Sequence, residues 1–109
     1  MDFVVFLNDL GIIIDEIKEK VQNIEHNTNA GIASMSGLIQ KINAVLPDWF
    51  YFIDQTGIGE KQVIGEILND ILMAMEYKDK VLLEDALLFG MQSLMLQYKN
   101  VIEEALNGQ

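Results

Sequence analysis

The chain has no cysteine and no arginine, and it carries one proline, one histidine and one tryptophan among its 109 residues. Without cysteine there is no disulfide framework, no thiolate zinc site and no thiol nucleophile. A di-metal centre of the helical-bundle kind needs Glu-x-x-His pairs from two helices, which the lone His26 cannot supply. Long apolar runs are also missing. The stretches at residues 3–7 and 49–53 fall far short of the roughly 18 residues a membrane span requires. Asp2 stands where a signal peptide would carry positive charge, and Asn8 with Asp9 breaks the apolar run, so no secretory leader is expected.

Positive charge is scarce too. Seven lysines face seventeen acidic residues, a formal net charge of −10. Such a surface repels phosphates and anionic headgroups over about a Debye length, so the expected partners include neither nucleic acid nor membrane. Half of the residues are hydrophobic and 22% are charged, which is enough apolar material for one packed core. Residues 1–109 are read as a single domain, with a cytoplasmic setting expected.

The apolar pattern is helical throughout. Phe3, Leu7, Leu10, Ile14, Ile17, Val21 and Ile24 recur at alternating four- and three-residue steps, the seam of a helix lying at a shallow angle on its neighbours. Asn27, Thr28 and Asn29 mark its end. A second helix is predicted over residues 30–46, with Ile32, Met35, Ile39, Ile42 and Leu46 inward and with Ala30, Ala33, Ser34 and Gly37 offering a side of low bulk. Pro47 should break it and open a short extra helix, although the spacing Leu46, Trp49, Ile53 runs on through the proline, so a kink competes with a break. Gly57 suits a left-handed terminating position in the loop 55–59. Two more helices are predicted at residues 60–77 and 79–106. Their seams are Ile64, Ile67, Ile71, Ala74, and then Leu87, Met91, Leu94, Tyr98, Val101, Ala105, with Asp79 as a fair N-cap between them. The expected fold is all-α, an up-down four-helix bundle.

Candidate chemistry is thin. Glu16 with Glu19, and Glu76 with Asp79, are three apart and so share a helix face, and four converging carboxylates could hold magnesium. All-α nucleotide pyrophosphohydrolases use an E-x-x-E and E-x-x-D combination, which makes a magnesium-dependent enzyme of that kind the alternative function. The two pairs lie farther apart here than that pattern allows, Asp79 falls in an expected turn, and the pairs are read as ordinary solvated helix faces beside Lys18, Lys20, Lys78 and Lys80. The Gly57–Ile58–Gly59–Glu60–Lys61 run lacks the Ser or Thr of a P-loop. No catalytic residue, cofactor or metal ligand is assigned.

Surplus apolar surface is the positive signal. Val5 and Ile12 sit opposite the inward seam of the first helix, with Val4, Phe6 and Ile13 beside it, whereas an ordinary surface helix keeps its far side polar. Trp49, Phe50, Tyr51 and Phe52 point around the full circumference of any helix that contains them, so some must face outward. These nine residues form the candidate interaction surface for a homo-oligomer or a protein partner, with aromatic side chains as favoured anchors. The competing reading is that the aromatic segment closes one end of the bundle and covers the first helix within the chain. Met73, Met75, Met91 and Met95 are either an adaptable groove or core filler. The expected function is therefore that of a non-enzymatic interaction module, adaptor- or chaperone-like.

Residues 68–88, through Glu76, Lys78, Asp79, Val81, Leu82, Leu83, Glu84 and Asp85, resemble a segment of small uncharacterised helical proteins of Gram-positive bacteria. The sequence departs from that pattern at Phe89, Gly90 and Met91. The resemblance implies a cytoplasmic bacterial helical protein and carries over no site residue.

Overall fold

The computed structural model describes residues 2–108, which are mainly helical and contain no strand. Helix α1 spans Phe3–His26, 24 residues and about 36 Å. The Asp2 carboxylate starts it by accepting from the Val4 and Val5 amides at 2.9 and 3.3 Å, two of the donors a helix N-terminus leaves free. Asn27 ends α1 and caps the short α2, Thr28–Ala33, by accepting from the Ala30 amide at 3.1 Å. The closest approach here is at Gly31, where a β-carbon would meet Ile24 Cα at 2.6 Å; around Gly37, named above for its low bulk, there is open space.

Helix α3 runs Ser36–Thr56 without interruption, so the end expected at Leu46 and the separate helix after Pro47 are both replaced by one helix. Proline removes a single donor, the one due to Asn43, and both Pro47 and Asn43 are exposed, which leaves that carbonyl open to water. Burial of Val45 before the proline and of Trp49 and Phe52 after it holds the two halves in line. Gly57 closes the helix in the left-handed region at φ 69°.

Helix α4, Lys61–Glu76, ends in a Schellman turn: the Asp79 amide donates to Ala74 and the Lys78 amide to Met75, with Lys78 left-handed at φ 52°. Asp79 then caps α5, Lys80–Asp85, by accepting from the Leu82 amide at 3.0 Å. A π-helical segment, Ala86–Gln92, joins α5 to α6, Ser93–Asn107, in one continuous rod. Leu83, Leu87, Met91 and Met95 are buried at four-residue intervals. In an α-helix each such step drifts about 40° around the axis; the extra residue of a π turn cancels the drift. It also moves the inward position from the expected Leu94 to Met95, and from Val101 to Ile102, while Tyr98 stays buried.

Helix α1 lies against α2, α3, α5, the π segment and α6, whereas α4 packs on α5 and the π segment. The pairs Phe6–Phe52 and Glu16–Lys41 show that α1 and α3 are antiparallel. The Gln92 amide donates to the Ile14 carbonyl at 3.1 Å and joins α1 to the C-terminal rod. Because α1 is covered from two sides, its buried set is Phe6, Leu10, Ile13, Ile17, Val21 and Ile24; Phe3 is exposed, and Leu7 and Ile14 are half-buried. No helix among the described residues is long and apolar enough to cross a membrane.

Candidate functional site

The nine residues of the predicted interaction surface divide. Val4, Val5, Ile12 and Tyr51 are exposed and Phe50 is half-buried, but Phe6, Ile13, Trp49 and Phe52 belong to the core. The last four are corrected because α1 is covered from two sides, which buries Ile13 beside Val45, and because Trp49 and Phe52 of α3 turn toward α1 and α6 and build a closed cluster with Phe6. Trp49 meets Tyr98 edge-on with ring centres 5.2 Å apart, and Phe52 packs against Phe3, Phe6 and Tyr98 at 5.9, 6.1 and 5.8 Å. Lys61 covers the outer face of Phe50 at 5.8 Å and pairs with Asp54 at 2.6 Å.

Within this cluster the Tyr98 hydroxyl donates to the Ile58 carbonyl at 3.1 Å. Burial raises its pKa above the usual phenol value, and the nearby Trp49 indole N–H partly offsets the rise. That N–H approaches Tyr98 without the geometry of a hydrogen bond and is buried with no partner among the described residues. Gly59, at φ 89°, leaves room for the contact, because a β-carbon there would overlap the Tyr98 hydroxyl. A shallow groove of about 310 Å3 lies outside it, between Ile58, Val63, Leu94 and Val101.

Of the exposed members, Ile12 lines a different feature. A groove of about 250 Å3 runs between α1 and α3, lined by Asp9, Ile12, Ile13, Lys41, Ala44 and Val45. Val5 lies two turns before Ile12 and Tyr51 two turns after Ala44, so both extend the same faces. Lys41 Nζ is bonded to Glu16 at 2.8 Å across the groove. An apolar trough between two antiparallel helices can take an elongated apolar segment, a recurring mode of helix recognition.

The carboxylate pairs are not brought together. Glu16 is engaged by Lys41 and Asp79 by the Leu82 amide, and no group of three or more potential metal ligands forms among the described residues. Met91 and Met95 are core, Met75 is half-buried and Met73 is exposed, so the four do not line one groove.

Some exposed apolar residues were not singled out from the sequence. Phe89 is 78% exposed and lies in the π segment; Tyr77 and Leu72 are exposed nearby in sequence, on the turn and α4. Phe89 was legible only as a departure from the resembled pattern, since nothing in the α-helical spacing announces a π turn.

The chain matches no protein-family model, no curated protein and no solved structure.

Proposed function

We propose that this protein is a protein-interaction module whose docking face is the α1–α3 groove. The observation that carries the reading is the outward placement of Val5 and Ile12, each more than half exposed, beside a trough whose floor is Ile13 and Val45. Covering one such side chain is worth about 1.5–3 kcal/mol, so several together can help to offset the cost of association. The four long helical segments are read as an up-down four-helix bundle, a frame that holds α1 and α3 at fixed spacing. The proposed setting, following the resemblance of residues 68–88, is a bacterial cytoplasm.

The test is a photo-crosslinking amino acid placed at Ile12, with Asn100 on α6 as the exposed control. In cells the Ile12 variant should give an adduct of defined mass, lost when Val5→Glu is added. An Ile12 adduct no more abundant than that at Asn100 overturns the proposal.

A further inference from the structure

We infer that the α1–α3 groove takes an amphipathic helix of another protein whose apolar stripe is bordered by Lys or Arg. The inference rests on the α1–α3 face being the docking face, and it adds the chemistry of what docks. The walls supply the apolar half of the match: Ile12 on one side, Ala44 on the other, with Val5 and Tyr51 extending them. Ala44 keeps one wall low, which lets a helix settle between the two rods rather than ride on them.

The charges supply the other half. Lys41 is the cation that lines the groove, and its bond to Glu16 at 2.8 Å already neutralises it. Asp9 on the α1 wall has no ion pair among the described residues, nor does Asp48, one turn past Ala44 on α3. Uncompensated negative charge therefore borders the apolar strip on both helices. A Lys or Arg flank on an incoming helix meets both carboxylates, and the formal net charge of −10 draws such a segment in from a distance at low salt.

The same charges argue against a second copy. A two-fold interface would press two such faces together, so that the Asp9 and Asp48 carboxylates of both copies border one shared apolar strip, between two bodies each of net charge −10. Like charges juxtaposed across an interface suppress that pairing.

The experiment uses the full chain and three fluorescein-labelled peptides of about 18 residues, five helical turns. One has a Leu stripe flanked by Lys, one the same stripe flanked by Glu, and one the Lys composition scrambled. Anisotropy should show binding of the Lys-flanked peptide, weakening as salt rises, with amide shift changes confined to residues 5–16 and 41–51. Asp9→Lys with Asp48→Lys should weaken it about tenfold and turn the preference toward the Glu-flanked peptide. Asp9→Asn with Asp48→Asn gives the same direction with less charge change, should the reversal disturb folding. Equal binding of Lys- and Glu-flanked peptides, shift changes elsewhere, or a dimer that Val5→Glu with Ile12→Glu dissolves would each overturn the inference. An Ile12 crosslink to another protein alongside failure of the Lys peptide removes the charge rule alone, whereas no crosslink at Ile12 removes the docking face beneath it.

Discussion

The Tyr98 hydroxyl reaches the Ile58 carbonyl across 3.1 Å and so ties α6 to the loop between α3 and α4. Replacing Tyr98 by Phe keeps the ring contacts with Trp49 and Phe52 and removes this bond, at a cost of about 0.5–1.5 kcal/mol in denaturant unfolding. The pH dependence follows from the raised pKa. The folded protein holds the phenol proton above the ordinary value of 10.0, so the contribution of Tyr98 is complete below pH 10 and declines as pH climbs toward the raised value. The stability gap between wild type and Tyr98→Phe should be constant up to about pH 10 and narrow beyond it.

Adjacent residues on α1 should respond oppositely to truncation. Ile13 is 3% exposed and Ile12 56% exposed. Ile13→Ala should cost about 2–5 kcal/mol, whereas Ile12→Ala should stay within about 0.5 kcal/mol. Equal losses at the two positions would mean that α1 is rotated from the orientation described.

Two glycines predict effects of opposite sign. Gly31→Ala drives a methyl against the Ile24 backbone and should destabilise by about 1–3 kcal/mol. Gly65 sits exposed within α4 with open space where a β-carbon would go, so Gly65→Ala should stabilise by about 0.5–1 kcal/mol. Thermal melts of the two variants provide the comparison.

Lys78 occupies a left-handed position that glycine adopts without steric cost. Lys78→Gly should raise the midpoint of unfolding by an amount equivalent to about 0.5–1 kcal/mol, the relief of strain exceeding the entropy glycine adds to the unfolded chain. Lys78→Val should lower it.

Much of the secondary structure was legible because its causes are local. Three-four spacing, the cap at Asp79 and the helix end at Gly57 each depend on a few neighbouring residues. The candidate surface was legible in part. Val5, Ile12 and Tyr51 are outward as expected, but Phe6 and Ile13 are apolar neighbours of the same stripe, and spacing gives a stripe its width rather than its centre. The grooves joined residues distant in sequence and had no signal at all.

By itself the sequence determined that the chain is helical, that its apolar residues recur at helical intervals, and that its surface is acidic, since propensity, periodicity and charge are carried residue by residue. Only the tertiary structure decided which face of each helix is inside. Covering α1 from two sides draws Phe6 and Ile13 into the core, the Trp49 and Phe52 rings find α1 and α6 rather than solvent, and continuous packing across Pro47 outweighs one lost hydrogen bond. The π turn at Ala86–Gln92 belongs with these, because keeping Leu87, Met91 and Met95 against their neighbours requires one residue more than the α-helical period allows.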